Sequence, residues 1–411
     1  MSRPLEGIRV IELGNFIAGP LCGMLLGDMG ADVIKIEPTR TGDMTRATGP
    51  HVGGESANFL SLNRNKRSIA LDLKRPEAVE VARKLAATAD VLLENYRPGV
   101  LPKLGLGADD LRPLNPDMLY VSVSGFGQTG PYRLRSAVNL VVEAASGTLS
   151  ISGEPGEIPM RPALQTADVF GAMFATYAVL SGLIGKLRGS AGRVVDLSMV
   201  EAAISAAVFE TPEYLIGGSV PQPLGHRHRL TAPYEVFRGA DGFLVIGCPN
   251  DQVFARVMRT LGHEELIDDP RFNSYGKRKQ NEEAISKIVA DSVRDRAIDP
   301  LIDELVRAGV PCSRVNDYKQ IFNDPQMIHR NIVAEVDHPA AGPTRMVRNP
   351  LLFDADGPAI TRPAPMLGQH TAELMQELGY AAGEIGNLAA GGVIEDRKSA
   401  IARGAAREAT A

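Results

Sequence analysis

The chain of 411 residues has no tryptophan, only three cysteines and no large excess of either charge. Cys22, Cys248 and Cys312 are far apart, odd in number and set in apolar or turn sequence, which argues against a disulfide framework and predicts reduced thiols in a cytoplasm. No CxxC or Cys/His spacing of a metal site occurs, and His226-x-His228 lies among arginines with no third ligand nearby, so no metal is expected. With 44 Lys and Arg against 49 Asp and Glu, the net charge is −5. The basic surplus of nucleic-acid and membrane-surface binders is missing, and any anionic ligand must be met by local basic clusters. Residues 1–13 lack the charged start and apolar core of a signal peptide, and no run reaches the roughly 18 apolar residues needed to cross a bilayer. The expectation is a soluble, cytoplasmic protein with neither nucleic acid nor membrane as partner.

Catalytic devices are also missing. No GxxxxGK[ST] and no GxSxG occurs, so ATP hydrolysis and serine-hydrolase chemistry lack their usual machinery. Gly125-Phe-Gly127-Gln-Thr-Gly130 is a literal GxGxxG, but Pro131 and an arginine-rich stretch follow it where a helix would be needed. The acid of a dinucleotide site should lie about 20 residues downstream, whereas Glu37 lies far upstream. No NAD site is expected, and the glycines are assigned to close backbone approach.

What is present is ordinary globular composition, 44% hydrophobic and 23% charged, with 42 Gly and 28 Pro read as tight turns. The length predicts one large and one smaller domain. IRVIEL (8–13), a turn, a helix opening near Pro20 and ending near Gly30, and DVIKIE (32–37) make a βαβ unit. RSIALDL (67–73), a helix from Pro76, ADVLLEN (89–95), a helical GADDLRPLN and LYVSVSG (119–125) continue the alternation. The fold class is therefore α/β, a doubly wound, Rossmann-like parallel sheet. Two long apolar helices follow, over about 167–187 and 198–216, separated by the strand RVVDL (193–197). The domain reading is 1–216 for the first part of the large domain, 217–225 as linker, 226–323 as a small α+β domain, and 324–411 returning to the large domain. The small domain opens on a hairpin about Asp241-Gly242, and IVAEVDHP with TRMVRNPLLF reads as paired strands. LGQHTAELMQELGY reads as a helix, and the tail beyond Asn387 as loosely held.

Basic residues recur just after the strands: Arg40 and Arg46; Arg64, Lys66 and Arg67; Lys74 and Arg75; Arg97 and Lys103. Ligands of parallel sheets bind outside the carboxyl ends of the strands, so Arg40, Lys74 and Arg97 would converge on one crevice suited to a phosphate-bearing anion; solvated surface charges are the alternative. Asp168 opens the apolar helix ALQTADVFGAMFATYAVL, with Thr166 as candidate N-cap. A helix start favours an ionised carboxylate, which suits a nucleophile and a structural cap equally.

PLEGIRVIELG, the AGP of 18–20, GADVIKIEP, GDMTR, NRNKRSIALDLK, ENYRPGV, SGFGQTGPY, TADVFGAM, GRVVDLSMVEA, APYEVF and LGQHTAELMQELGY occur in this order from about Pro4 to Tyr380. Together they resemble the class III CoA-transferase family, CaiB/BaiF type, the group of formyl-CoA transferase and carnitine CoA-transferase. The resemblance implies a large Rossmann-like domain built from both chain ends, a small central domain, and an interlocked homodimer. It implies coenzyme A or acyl-CoA as substrate, a small carboxylic acid as second substrate, and no need of metal, NAD or ATP. Asp168 matches the family's nucleophilic aspartate, which would form aspartyl anhydride and aspartyl-CoA thioester intermediates. The CoA contacts it implies fall on Ile17 and Ala18, Leu71, Leu73 and Lys74, Asn95, Tyr96 and Arg97, and the 136–139 segment with Asn139. Pro38 stands where formyl-CoA transferase-like members have an arginine, so Arg40 is assigned its role. Lys103 stands where an arginine is common, keeping charge but losing the bidentate fork, and Asn139 stands where an acid is frequent.

GHRHRLTAPYEVF resembles the branch acting on small dicarboxylates, with succinyl-CoA as expected donor; there, residues 226–229 either meet a distal carboxylate or form a structural loop. Two alternatives share the fold. α-Methylacyl-CoA racemases use a histidine in a Gly-His-Asp stretch that matches Ala137-Val138-Asn139, and valine cannot carry protons. A non-catalytic CoA-binding protein would tolerate loss of Asp168.

Overall fold

The computed structural model describes residues 3–354 and 357–396. Six β-branched runs form the parallel strands of one sheet: β1 (Arg9–Leu13), β2 (Asp32–Glu37), β3 (Lys66–Leu71), β4 (Val91–Glu94), β5 (Leu119–Ser124) and β6 (Val194–Ser198). Their order is β3-β2-β1-β4-β5-β6, with the two residues Ile394–Glu395 pairing antiparallel to β3 at the edge. This is the doubly wound order, and the chain reverses direction between β1 and β4. Successive residues of a strand face opposite sides, so Val10, Val33, Val91 and Leu93 enter one core while Ile11, Ile34 and Leu92 enter the other. Helices α1 (Ala18–Asp28) and α4 (Thr166–Leu187) cover the first core, and α2 (Pro76–Ala87) covers the second with Thr371–Glu377. Two shorter helices, α3 (Asn139–Ser146) and α5 (Met199–Ala206), precede and follow α4.

The chain divides into two units, one of Met1–Thr148, Ala163–Pro212 and Arg330–Ala411, the other of Leu149–Pro162 and Glu213–His329. The first carries the sheet and, near its end, the hairpin Val333–His338 with Gly342–Val347. In the second, Tyr234–Gly239 and Gly242–Gly247 form an antiparallel hairpin joined by Cys312–Arg314, and Asp251–Leu261, Glu282–Val293 and Ile298–Arg307 pack on it around Phe237, Phe254 and Phe272. Residues 149–162, which the composition placed in the large domain, belong to this second unit, where Gly225 N–H donates to Gly153 O at 2.8 Å.

Three expectations are corrected. The long helix over 198–216 is two, α5 and Glu210–Leu215. A continuous helix would drive Pro212 against the carbonyl of Val208, and restarting at Glu210 places the proline in a first turn. The stretch beyond Asn387 is held down as far as described: Ala382–Ala390 is helical, and Val393 and Ile394 are buried as the chain reaches the sheet edge. Residues 397–411 of that tail lie outside the described residues. Finally, α4 is long and apolar enough to cross a membrane by length and composition. Its Gly, Thr and Ser residues interrupt the run, so counting uninterrupted apolar residues overlooked it.

Candidate active site

The reversal between β1 and β4 leaves a crevice at their carboxyl ends, and the loops leaving the two strands are built to stay in place. Glu12, Lys35 and Lys66 are wholly buried; Lys35 Nζ lies 2.7 Å from Glu12 and 2.8 Å from Asp43, and Lys66 Nζ lies 2.8 Å from Glu12. Burial by itself would raise the Glu12 carboxyl, but Lys35 and Lys66 outweigh it and hold it below the usual range. Lys35 also donates to Gly14 O at 2.8 Å, and Asp43 accepts the Phe16 N–H at 3.3 Å, tying the loop after β1 to this cluster. Only glycine fits at position 23, where a Cβ would lie 2.0 Å from a Glu12 carboxylate oxygen. The Asn95 amide exchanges hydrogen bonds with the Asn15 backbone, at 2.8 and 2.9 Å, and locks the two loops together.

Above them lies a cavity of about 330 Å³ lined by Ile17, Tyr96, Arg97, Ala137, Val138, Asn139 and Asp168. Gly125 brings the 137–139 segment in, since a Cβ there would sit 2.1 Å from that of Ala137. A second cavity of about 560 Å³, lined by Thr39, Arg40, Leu71, Leu73, Lys74 and Tyr96, shares Tyr96 with the first. Arg40 has a φ of 70° and its N–H donates to Glu395 at 2.6 Å, so the edge strand holds this turn.

Asp168 is the third residue of α4. Thr166 is not its N-cap, because the helix begins at Thr166 and the flanking Gln165 makes no side-chain cap bond. Side chains of α3 take over: Glu143 accepts the Thr166 N–H at 3.2 Å and the Thr166 hydroxyl, and Asn139 Oδ1 accepts the Asp168 N–H at 3.2 Å. No hydrogen bond or ion pair to the Asp168 carboxylate is present among the described residues. Burial, reinforced by the like charge of Glu143, pushes that carboxyl up to about 6. It is thus still about tenfold more ionised than protonated at pH 7 and more basic than an ordinary aspartate, as suits a carboxylate nucleophile.

The expected basic set splits in two. Arg40 and Lys74 line the second cavity and Arg97 the first. Arg64, Lys66 and Arg67 instead pair internally with Asp28, Glu12, Asp32, Glu373 and Glu377, and Arg46 pairs with Glu37. Ala18 is buried at the start of α1 and Lys103 lies exposed on the helix Val100–Lys103; neither lines either cavity. In the second unit, His226 and Arg227 face the buried Glu235, His228 stacks on Tyr234 at 4.5 Å, and Arg229 pairs with Glu213, which is the structural-loop reading. Sequence reasoning missed Glu143, Arg133 and Arg135, the last two lining the Asp168 cavity. An acid in the apolar NLVVEAAS, four residues after Asn139, was the available signal for Glu143. Also missed is Glu94 at the end of β4, which burial pushes up to about 7.

Residues 5–371 match the family described as CoA-transferase family III. The chain is 35% identical over 399 residues to the succinyl-CoA:glutarate CoA-transferase of Homo sapiens, covering 97% of this chain and 91% of that protein. It is 36% identical over 382 residues to the succinate–glutarate CoA-transferase of Agrobacterium fabrum, covering 91% and 96%. Among solved structures, a CaiB/BaiF family protein from Brucella suis superposes with a TM-score of 0.82 at 33% identity, over 92% of this chain and 100% of that one.

Proposed function

The chain belongs to CoA-transferase family III and is a CoA-transferase, and from that premise we propose that it moves CoA from succinyl-CoA to a small dicarboxylic acid such as glutarate, with Asp168 as the covalent carrier. The observation that carries this reading is the Asp168 carboxylate, basic, without a hydrogen-bond or ion-pair partner among the described residues, and lining a cavity at the sheet's switch point. Its oxygen attacks the thioester carbonyl, a C–O bond forms, the C–S bond breaks, and CoA leaves as thiolate. The thiolate attacks the aspartyl carbonyl of the mixed anhydride, giving an aspartyl-CoA thioester and releasing the donor acid. The acceptor carboxylate repeats the first step on this thioester and the thiolate repeats the second on the new acyl carbon, returning free Asp168 and a new acyl-CoA. One thioester replaces another, so no net proton or phosphate is consumed. Arg40 and Lys74 offer charge for the nucleotide phosphates. Arg97 offers it to the rest of the CoA, and Arg133 and Arg135 offer it beside Asp168, where the acceptor's distal carboxylate would lie.

A second copy of this chain belongs to the same proposal. Phe170, Met173, Tyr177, Leu180, Ile184 and Leu187 are exposed on α4 at spacings of three and four, the stripe a partner helix or sheet would cover. With Gly171, Ala172, Ala175 and Val179 buried on its opposite face, we read α4 as a core helix at a homodimer interface in a cytoplasmic enzyme, not as a membrane span.

Purified protein incubated with succinyl-CoA and glutarate, mesaconate, citramalate, oxalate or carnitine, followed by mass spectrometry, tests the assignment. Asp168-dependent glutaryl-CoA is the expected product. α-Proton exchange on a branched acyl-CoA with no transfer to any acid would replace it with racemisation.

A further inference from the structure

Glu143 is fully buried on α3, one turn from Asn139. One of its oxygens accepts three hydrogen bonds, from Asn139 Nδ2 at 2.9 Å, the Thr166 N–H at 3.2 Å and the Thr166 hydroxyl. The other, Oε2, is buried and has no hydrogen-bond partner among the described residues. Stability alone does not account for such a group, since a buried acid with an unsatisfied oxygen costs free energy that an apolar side chain would not.

Two consequences follow from elementary chemistry. A carboxylate only accepts, so Asn139 must turn its NH2 toward Glu143, which leaves its carbonyl oxygen for the Asp168 N–H. Asp168 also occupies the third helical position, where an acid commonly reaches back to cap its own helix. Here the first-turn N–H groups of Thr166 and Asp168 are satisfied from α3, and the Asp168 carboxylate makes no bond to the Gln165 N–H that such a cap would use.

We propose that Glu143 is a positioning residue for CoA transfer, holding the first turn of α4 through Asn139 and Thr166 so that the Asp168 carboxylate stands free toward the cavity. The proposal rests on Asp168 being the nucleophile. Glu143 acts a second time through its charge, which adds to burial in keeping Asp168 basic. The other charged groups on neighbouring elements are Arg97 after β4, Arg133 and Arg135 after β5, Asp196 on β6, Glu94 on β4 and Glu201 on α5.

The test measures steady-state transfer from pH 5 to 9 for Glu143→Leu, Glu143→Gln, the exchange pair Asn139→Asp with Glu143→Gln, and Asp168→Asn, with thermal melts alongside. Glu143→Leu removes the acceptor and should lower kcat about a hundredfold while KM for succinyl-CoA changes less than about threefold, a loss of roughly 2.7 kcal/mol in the transition state alone. Glu143→Gln keeps the acceptor but not the charge, so its acid limb should move to lower pH. The exchange pair moves the acid to 139 and the amide to 143, which restores the 139–143 hydrogen bond with donor and acceptor reversed and leaves the amide's carbonyl oxygen to accept from Thr166, and should recover part of kcat relative to Asn139→Asp alone. The proposal is overturned if folded Glu143→Leu keeps kcat within about threefold while Asp168→Asn is inactive. If Glu143→Leu does not fold, an unmoved acid limb in Glu143→Gln together with no recovery in the exchange pair overturns it. Full turnover by Asp168→Asn sinks the nucleophile reading as well, so the two failures are distinguishable.

Discussion

Below the crevice, Glu12, Asp43, Lys35 and Lys66 are removed from water in a mutually neutralising cluster; above it, the half-buried Asp168 carboxylate and the buried outer oxygen of Glu143 have no hydrogen-bond or ion-pair partner among the described residues. Both regions pay desolvation. In the lower cluster each charge is met within 3 Å and the product is rigidity, delivered to the loop after β1 through Gly14 and Phe16. In the upper group no cation is paired with either acid among the described residues, and the product is a basic carboxylate. Burial is common to both; the presence of a counter-charge decides whether a buried acid acts as scaffold or as reagent.

The contrast can be broken from either side. Replacing Asp168 by Ala should abolish transfer, at least about a thousandfold in kcat, while CoA binding measured by calorimetry stays within a few-fold. Lys35→Met should do the reverse in kind: Asp43 is left buried without a cation and Glu12 keeps only Lys66, and urea unfolding should report a loss of about 3–5 kcal/mol. Lys74→Ala and Arg97→Ala should each weaken CoA binding about tenfold with kcat largely spared; equal loss of binding in Asp168→Ala would contradict this division of roles.

pH sharpens the comparison further. With Asp168 as the proposed nucleophile, activity requires its ionised form, so kcat should fall about tenfold per unit once pH drops below about 6. Stability runs the opposite way at this residue. A carboxyl raised on folding costs stability that builds as pH rises from about 4 and is fully present above about 6, so Asp168→Asn should gain in melting temperature over the native chain at pH 8 and have little or no gain at pH 4. Glu12 and Asp43, held below the usual range by Lys35, contribute stability that is present at neutral pH and lost on acidification. The smallest effect should be the most specific: Arg133→Ala should raise KM for glutarate a few-fold and leave KM for a monocarboxylic acid of similar length unchanged.

Much of the large unit was legible. Each β-branched run became a strand, and position 168 stood out as an acid in an apolar helix. The convergence of Arg40, Lys74 and Arg97 was partly legible, since it follows from strand ends, but the sequence could not separate them from Arg64, Lys66 and Arg67. Those three lie in equally basic text, and their partners Asp28, Glu12, Asp32, Glu373 and Glu377 are up to 310 residues away. Thr166 looked like a cap because the residue type is right, yet a side chain from another helix had taken its place. Glu143 carried a similar signal, an acid in the apolar NLVVEAAS, but its partner Thr166 lies 23 residues further along on another helix, which no local pattern reveals.

The sequence by itself determined the alternation of strand and helix, the family, and the acid proposed as nucleophile, because periodicity, turn chemistry and ordered motifs are local and are written in neighbouring residues. Tertiary structure alone decided which charges are neutralised and which are left bare. That depends on side chains brought within about 3 Å by the sheet order, and no spacing along the chain encodes such a distance.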